Sequence, residues 1–392
     1  MSDVGLIRNG AVLIRGATVE LAGPQDRVAR SGAARAAECI DLRGRVVLPG
    51  FVDSHTHALF AASRVDEYEA RIRGATYREI AEAGGGIQAS ARRIRSISEQ
   101  KLVRRLTGVV GRFVEHGTTI LEIKSGYGLE PAQELKMLRA IRKTAPRVVG
   151  ELVPTLLIHD VPARLKARRA VYLRLLVRRL IPEVARRRLA ECFDVFCDRG
   201  YFSVAEAKAL LEAAAQAGLK LKLHAEQLAH TGAARMAAGL GAISVDHLDH
   251  VSDADIRWLQ KRGTIATLLP GSVLHLNSGP YPPARRLIDA GVPVALASNF
   301  NPGSSPTLNM QMILALACSQ MRMTPAEAIA AATINGAYAV GRGDRAGSLE
   351  SGKQADLVVM DVDDYREIPY YFGVNHCVMA IKNGKVVFSR GV

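Results

Sequence analysis

Several residues of types that bind or surround metal ions follow short apolar segments of this chain. The sequence has only 10 histidines, yet His55 and His57 stand two residues apart after an apolar run, in the stretch LPGFVDSHTHALF. Residues i and i+2 of a strand point to the same side, so both imidazoles can face one cavity. The whole set is His55, His57, His159, His224, His247 and Asn299. Neutral imidazoles that converge from separate segments favour Zn²⁺ or Fe²⁺, with one coordination position open for an attacking water.

Eight apolar segments with strand character carry these residues, and helical stretches lie between most of them. In chain order the segments are VVLPGFVDSHTH, TTILEIKSG, VVGELVPTLLIH, CFDVFC, LKLKLHAEQ, AISVDHL, TIATLLPG and PVALASNF. Buried strands that alternate with helices predict a parallel sheet, and eight such units predict a closed (β/α)8 TIM-like barrel of the α/β class. Active sites of these barrels lie at the C-terminal ends of the strands, where the histidines and Asn299 fall.

Two of the helical stretches carry start signals in the sequence. SVAEAKALLEAAAQAG opens with Ser203 and Glu206, the spacing of a capping box. MTPAEAIAAATINGAYAVG is predicted as one helix, with Thr324 as N-cap, Pro325 at the first helical position and Glu327 closing the box.

Strand and turn signals outside the barrel lie near both ends of the chain. They are AVLIRGATVELAG at the N-terminal end, and ADLVVMDV and CVMAIKNGKVVFSRG at the C-terminal end, where Asn383-Gly384 is a strong hairpin signal. We therefore expect a small β-sandwich domain built from residues 1–48 and 346–392. The metal-dependent barrel is expected to occupy residues 49–345.

The composition predicts a soluble, cytoplasmic chain without disulfides. At 392 residues it is long enough for one large barrel, and it shows neither a signal peptide at MSDVGLIRNG nor a run of 18 uncharged apolar residues. The cysteines are odd in number, widely spread and without a CxxC pair, so they are expected to be reduced packing residues. They are Cys39, Cys192, Cys197, Cys318 and Cys377.

The net charge of +14 comes largely from one stretch, Arg164 to Arg188. Basic residues alternate there with Leu and Val at helical spacing, which predicts the exposed face of a helix and leaves open a surface for a polyanion or a partner. The sequence shows no zinc finger, RNP-like motif or glycine-rich phosphate loop. We therefore expect a small-molecule substrate as the partner, and neither nucleic acid nor a membrane.

The histidine pattern resembles the amidohydrolase superfamily, and more closely the imidazolonepropionase family of cyclic amidohydrolases in histidine degradation. The matching segments are SHTHALFAASRVDEYEARIRGATYREIAEAGGGI, EIKSGYGLEPAQELKMLRAI, FDVFC, HAEQ, ATLLPG, NPGSSPT and YREIPYYFGVNH. The resemblance extends from about Val46 to Lys385, and implies a homodimer with one Zn²⁺ or Fe²⁺ per chain. It implies that water opens 4-imidazolone-5-propanoate to N-formimidoyl-L-glutamate. The N-terminus is shorter than is usual in that family, as though the first strand of the β-domain were missing.

The resemblance also implies a role for each site residue. The metal ligands would be His55, His57, His224 and Asn299, and the catalytic residues His247 and Asn299. The substrate contacts would be Arg64, Tyr127, His159, Gln227, Asn301, Gly303 and Ser304. A propionate side chain needs a cation, and Arg64 can bind a carboxylate with two parallel hydrogen bonds. Tyr127 lies in SGYG, where glycines let a loop approach a ligand closely, although a tyrosine there also suits loop packing.

The sequence departs from the family pattern at one residue and in one short segment. Asn299 stands where the family has Asp, which serves as metal ligand and base, and loss of a positioned base typically costs about 10²- to 10⁴-fold in rate. The open explanations are an engineered or trapped variant, a natural member in which His247 supplies the base, and a relative with altered or no activity. The second departure is LLIHDVP around His159, where the family has smaller residues before the histidine.

Two other metal-dependent chemistries of the superfamily fit these residues less well. A carboxylated Lys124 bridging two metals is disfavoured, because the family is mononuclear and a lysine that leaves a strand is usually solvated. Related deaminases carry Glu at the position of Gln227, and an amide cannot shuttle protons, so ring hydrolysis is favoured over deamination. The remaining alternatives are a paralogue that acts on another small cyclic amide or amidine, and a non-catalytic scaffold that binds polyanions.

Overall fold

The computed structural model describes residue 1 and residues 3–76, 79–80 and 83–391. The segment 54–87, which carries part of the family resemblance, includes residues 77, 78, 81 and 82 outside the described part. Residues 2 and 392 of the predicted β-domain also lie outside it.

The strands of the described residues form three sheets. In chain order they are β1 (Gly10–Arg15), β2 (Thr18–Pro24), β3 (Val46–Pro49), β4 (Phe51–Asp53), β5 (Thr118–Lys124), β6 (Glu151–Ile158), β7 (Cys192–Cys197), β8 (Lys220–Ala225), β9 (Ser244–His247), β10 (Ile265–Leu268), β11 (Val294–Leu296), β12 (Leu357–Met360), β13 (Cys377–Lys382) and β14 (Lys385–Ser389). Strands β4 to β11 make one eight-stranded parallel sheet in which each strand pairs with the next one in the sequence. The predicted strand order is confirmed.

Two backbone hydrogen bonds join the last barrel strand to the first, just beyond the strand ends. The amide of Asn299 donates to the carbonyl of His55, and the amide of His57 donates to the carbonyl of Phe300, each at 3.0 Å. These bonds continue the parallel pairing across the gap between β11 and β4. They close the predicted barrel at the end that carries the candidate site.

The first predicted barrel strand is two strands in the structure. Strand β3 pairs with β12 in the small sheet, whereas β4 pairs with β5 in the barrel. Gly50 stands at the break, where a Cβ would lie 2.4 Å from the side chain of Thr119. The prediction of one continuous strand was wrong because the chain passes from one sheet to the other at this tightly packed glycine.

The small sheet takes strands from both ends of the chain, as predicted. Its order is β14-β13-β12-β3, all antiparallel, and the hairpin β1–β2 packs on it through Val19, Ala355 and Leu357. Asn383 and Gly384 turn the β13–β14 hairpin with φ of 51° and 75°, which is the left-handed conformation that this dipeptide favours. The limits of the predicted parts, 1–48, 49–345 and 346–392, stay predictions.

Helices cover the outside of the barrel. In the part of the chain that the structure describes, the α-helices include Gln25–Ala29, Val65–Ile72, Gly86–Ser96, Glu99–Glu115, Pro131–Thr144, Arg169–Leu175, Ile181–Arg186, Val204–Gln216, Ala233–Gly239, Asp253–Arg262, Pro270–Leu276, Ala284–Asp289, Met310–Met321, Pro325–Ala332, Ile334–Ala339 and Glu367–Tyr370. Short 3-10 helices span Gly32–Ala36, Ala145–Arg147 and Ala163–Arg168, and a π-helix spans Leu176–Leu180. Among the described helices, none has the length and apolarity that a bilayer crossing requires. The predicted capping boxes at Ser203 and Thr324 are both present.

The helix predicted after the last barrel strand is broken at Thr333, whose φ and ψ are −122° and −93°. Its hydroxyl donates to the carbonyl of Ile329 at 2.7 Å, a bond that competes with helix continuation. The second helix then packs under the barrel so closely that a Cβ on Gly336 would lie 2.7 Å from the carbonyl oxygen of Val52. The prediction of one helix was wrong because this tertiary contact redirects the chain.

The basic stretch Arg164 to Arg188 places its arginines outside, as predicted, but it is not one regular α-helix. It runs through 3-10, α, π and α segments, and its buried side chains include Tyr172, Leu176 and Leu180. The cysteines are all free, and Cys192, Cys197 and Cys377 are buried. Cys39 is exposed, so the prediction of a packing role was wrong for that residue.

Candidate metal centre

Imidazoles from separate strands lie together at the C-terminal end of the barrel. His55 and His57 follow β4, His224 lies in β8, and His247 ends β9. The ring centroids of His55 and His224 are 4.4 Å apart, and those of His224 and His247 are 5.3 Å apart. His159, directly after β6, stacks on His57 with a centroid distance of 5.6 Å. The structure therefore brings all five predicted histidines to one place.

The nitrogen atoms of this cluster fit a divalent metal. The Nε2 atoms of His57 and His224 are 3.3 Å apart, and two tetrahedral ligands at metal distances of 2.0–2.1 Å would be separated by roughly that distance. Ligand nitrogens of His55, His224 and His247 lie within 4.8 Å of one another. His55 Nε2, His57 Nδ1 and His247 Nδ1 are buried without a hydrogen-bond partner. His55 Nδ1 lies 2.6 Å from Asp246 Oδ2 and carries the ring proton, so the unpartnered Nε2 keeps the lone pair that a metal ligand needs.

Four imidazoles of this cluster, those of His55, His57, His159 and His247, have lowered pKa values that keep them neutral at physiological pH. Burial, assisted by neighbouring positive charge, lowers the pKa of His55, His57 and His247 well below the ordinary value for histidine. Burial likewise lowers the pKa of His159 to about 3. Because a metal binds the neutral ring, no proton has to leave these side chains first.

Two buried aspartates form hydrogen bonds with the imidazole rings of His55 and His224. Asp246 Oδ2 lies 2.6 Å from His55 Nδ1, and Asp194 Oδ2 lies 2.9 Å from His224 Nδ1. A carboxylate can only accept, so each Nδ1 carries the proton and each Nε2 keeps its lone pair. Neither aspartate was predicted from the sequence as a site residue.

Lys124 lies inside β5 and is fully buried, so the expectation of a solvated lysine was wrong. Its ammonium group is 2.7 Å from Asp194 Oδ2 and 2.8 Å from Glu122 Oε2. Burial works against the charged form, but these carboxylates and Asp246 raise the pKa of Lys124 above its ordinary value. The amine therefore stays protonated and cannot form a bridging carbamate, in agreement with a centre for one metal.

The side chains expected to bind substrate form two groups above the histidines. Arg64 Nε donates to Glu67 Oε2 at 2.8 Å, and a Cβ on Gly303 would lie 2.2 Å from Arg64 Nη1. Tyr127 is buried, and its ring centroid is 5.8 Å from that of His57 and 5.7 Å from that of His159. The predicted carboxylate ligand and the predicted ring contacts thus border the same end of the barrel.

The loop after β11 is organised by Asn301. Its Oδ1 accepts from the amides of Gly303 at 2.8 Å and Ser304 at 2.7 Å. Its Nδ2 donates to Ser304 Oγ at 2.8 Å and to Asn299 Oδ1 at 3.2 Å. Gln227 is half-buried after β8, and its backbone amide donates to an Asp198 carboxylate oxygen at 2.7 Å. Asn301, Gly303 and Ser304 thus share one hydrogen-bond network. Gln227 lies outside this network and is bound to Asp198.

Comparisons with known proteins agree with this geometry. A model described as the amidohydrolase family matches residues 46–387. An imidazolonepropionase from Geobacillus kaustophilus is 48% identical over 394 aligned residues, which cover 100% of this chain and 93% of that protein. An imidazolonepropionase from Symbiobacterium thermophilum is 44% identical with the same coverage. This chain belongs to the imidazolonepropionase family of amidohydrolases.

Solved structures share the fold of this imidazolonepropionase-family chain at low sequence identity. A 5-methylcytosine deaminase from Klebsiella pneumoniae aligns with a TM-score of 0.79 and 18% identity, covering 99% of this chain and 97% of that one. An atrazine chlorohydrolase from Arthrobacter aurescens, complexed with zinc, aligns with a TM-score of 0.74 and 16% identity, covering 96% and 90%. At these identities the likeness establishes the barrel and its appended sheet alone.

Asn299, which the resemblance marks as a departure from the family pattern, is held by a neighbouring side chain. Its Nδ2 donates to Ser272 Oγ at 2.6 Å, and its φ of 51° is left-handed. His247 also has a left-handed φ, of 81°. Such conformations are costly for residues other than glycine and concentrate at functional sites. Ser272, which was not predicted as a site residue, fixes the orientation of the Asn299 amide.

The missed charged residues left a signal in the sequence. Glu122 and Lys124 in TTILEIK, Asp194 in CFDVFC, Lys222 in LKLKLHA and Asp246 in AISVDHL are ionisable residues inside otherwise apolar strands. A charge in a buried strand must be paired or ligated. Residues two apart in a strand share a face, so Glu122 with Lys124, and Lys222 with His224, point into the same barrel interior as the metal ligands.

Proposed function

We propose that this chain hydrolyses 4-imidazolone-5-propanoate to N-formimidoyl-L-glutamate, with Zn²⁺ or Fe²⁺ as cofactor. The observation that carries the proposal is the convergence of buried, neutral imidazoles with unpartnered nitrogens at the C-terminal end of a barrel. The identity of 48% with an imidazolonepropionase over the whole chain supports the choice of substrate.

The residues of the chain divide the work as follows. His55, His57, His224 and Asn299 would hold the metal. A bound metal would polarise the ring carbonyl and lower the pKa of the attacking water. Arg64 binds the propionate carboxylate, and Gly303 leaves room for the guanidinium group at its present position. Tyr127 and His159 flank the ring, and Gln227 is assigned to the substrate by family resemblance.

The proton of the attacking water needs an acceptor, and the Asn299 amide cannot serve. His247 is neutral and adjoins the rings of His55 and His224. We assign the proton to His247, which then returns it to the ring nitrogen as the bond between that nitrogen and the carbonyl carbon breaks. The single product, N-formimidoyl-L-glutamate, contains every atom of the substrate and of one water molecule.

The test follows the loss of imidazolone absorbance with purified protein and added Zn²⁺ or Fe²⁺. Turnover by the wild type or by the Asn299→Asp variant supports the proposal, and absence of turnover in both rejects this substrate. Because Asn299 departs from the family, a panel of hydantoins and lactams serves as the comparison. Faster turnover of one of these would favour a paralogue that acts on another cyclic amide.

A further inference from the structure

A set of charged side chains fills the barrel interior directly beneath the histidines. Its members are Glu122, Lys124, Asp194, Lys222 and Asp246, all with zero solvent exposure. The ammonium of Lys124 is 2.7 Å from Asp194 Oδ2 and 2.9 Å from Glu122 Oε1. The ammonium of Lys222 donates to Ser244 Oγ at 2.7 Å and to the carbonyls of Ser54 and Ala339. We call these five residues the floor cluster.

The two aspartates of the floor cluster are clamped on both oxygens. Asp194 accepts from the backbone amide of His224 at 3.0 Å with Oδ1 and from its ring Nδ1 at 2.9 Å with Oδ2. Asp246 accepts from Ser244 Oγ at 2.7 Å with Oδ1 and from His55 Nδ1 at 2.6 Å with Oδ2. Neither carboxylate can rotate without leaving a buried polar group unpaired, which is costly.

The lysines keep these carboxylates in place. Lys124 lies 2.7 Å from the Asp194 oxygen that holds His224, and 3.7 Å from the Asp246 oxygen that holds His55. Lys222 is also 3.7 Å from that Asp246 oxygen. The same oxygens therefore join the histidines above to the ammonium groups below.

We propose that Asp194 and Asp246 are positioning residues that set the tautomers of His55 and His224 for metal binding. Through these hydrogen bonds, the two aspartates also place negative charge next to the metal ligands His55 and His224, whereas the ligand Asn299 is neutral. A carboxylate on the far ring nitrogen raises the basicity of the metal-binding one, and loss of such a partner typically lowers metal affinity about 10- to 100-fold. The inference rests on the metal site of the proposed function but not on the identity of the substrate.

The experiment measures the affinity of the metal-stripped, full-length protein for Zn²⁺ against a chromophoric chelator. Asp246→Asn and Asp194→Asn remove the charge with little change of shape, and each is expected to weaken Zn²⁺ binding by about 10- to 100-fold. Ser244→Ala removes one hydrogen bond to Asp246, and a loss of about two- to tenfold is expected. This milder variant keeps the proposal testable if the aspartate variants do not fold.

A matched control lies in the small sheet, away from the histidines. Lys382 Nζ donates to Asp356 Oδ2 at 2.6 Å, and both residues are buried. Asp356→Asn is expected to lower the melting temperature, as the other aspartate variants do, without changing Zn²⁺ affinity. The visible spectrum of the Co²⁺-loaded protein should change in Asp194→Asn and Asp246→Asn but not in this control.

The outcomes separate the inference from the proposed function. Wild-type Zn²⁺ affinity in both Asp194→Asn and Asp246→Asn would overturn the inference, as would an equal loss in Asp356→Asn. A wild type without Zn²⁺ binding would overturn the inference together with the metal site. Wild type that binds Zn²⁺ tightly but does not open the imidazolone ring would reject the substrate alone, and the positioning roles would still be decided by the affinities.

Discussion

His57 Nε2 and His224 Nε2 lie 3.3 Å apart, although 167 positions separate the two residues in the chain. His224 donates through Nδ1 to Asp194, so its Nε2 presents a lone pair toward His57. A cation between these nitrogens would satisfy both residues. We therefore expect a bound metal to stabilise the folded protein at this site.

Removal of the metal is expected to destabilise the protein. At a free Zn²⁺ concentration 1,000 times the dissociation constant, binding to the folded state alone contributes about 4 kcal/mol. Thermal melts before and after dialysis against dipicolinate, and again after addition of Zn²⁺, measure the effect. His224→Gln is the control, since Zn²⁺ should shift its melting temperature far less. Equal melting temperatures for stripped and loaded wild type would contradict a metal site.

Asn299→Asp is expected to raise kcat by about 10²- to 10⁴-fold, because it restores a positioned base beside the histidines. Ser272 Oγ, now 2.6 Å from the Asn299 amide nitrogen, can donate to a carboxylate oxygen at the same place. Steady-state kinetics on 4-imidazolone-5-propanoate measures the gain, with metal content determined for both proteins. Unchanged kcat at equal metal content would contradict this prediction, because the base assigned to His247 would then be sufficient without a carboxylate at position 299.

The barrel and its histidines could be predicted because each depends on local patterns. Apolar runs bounded by helix signals located the strands, and the histidines fell where such strands end. The partners of Lys124 could not be located in the same way. Asp194 and Asp246 reach it from β7 and β9, so the contact exists only after the barrel has formed.

The remaining misses also come from tertiary contacts. At Gly50 the chain leaves one sheet for another, and at Thr333 a helix ends because the next segment packs against Val52. The dipeptide Pro49-Gly50 is a turn signal, and the prediction of one strand passed over it. Thr333 is not a strong breaker, so the sequence favours continuation of the helix there. The role of Ser272 was not predicted because it depends on a tertiary contact, since it meets Asn299 only once the neighbouring strands β10 and β11 have paired.

Gly303→Ala is expected to raise KM about tenfold for the propionate substrate. A Cβ there would lie 2.2 Å from Arg64 Nη1, the movable end of a flexible side chain. The guanidinium would shift and lose a charge-assisted hydrogen bond to the carboxylate, while folding is little affected. Steady-state kinetics and thermal melts measure both effects. Gly111→Ala, with open space around its Cβ, is the control, and an equal KM in the two variants would contradict this role for Arg64.

Glu151→Gln is expected to lower stability at pH 7 by about 2 kcal/mol, because Glu151 pairs with Arg342 at 2.7 Å. Burial opposes ionisation, yet Arg342, Lys382 and Arg345 hold the pKa of Glu151 below its usual 4.5. A lowered folded-state pKa means that the stabilisation is complete above pH 4.5 and is lost as the pH falls through the folded value. Denaturant unfolding at pH 7 and pH 4 should show a smaller difference from wild type at pH 4. A difference independent of pH would refute the ion pair as its source, and Glu115→Gln, at an exposed position, serves as control.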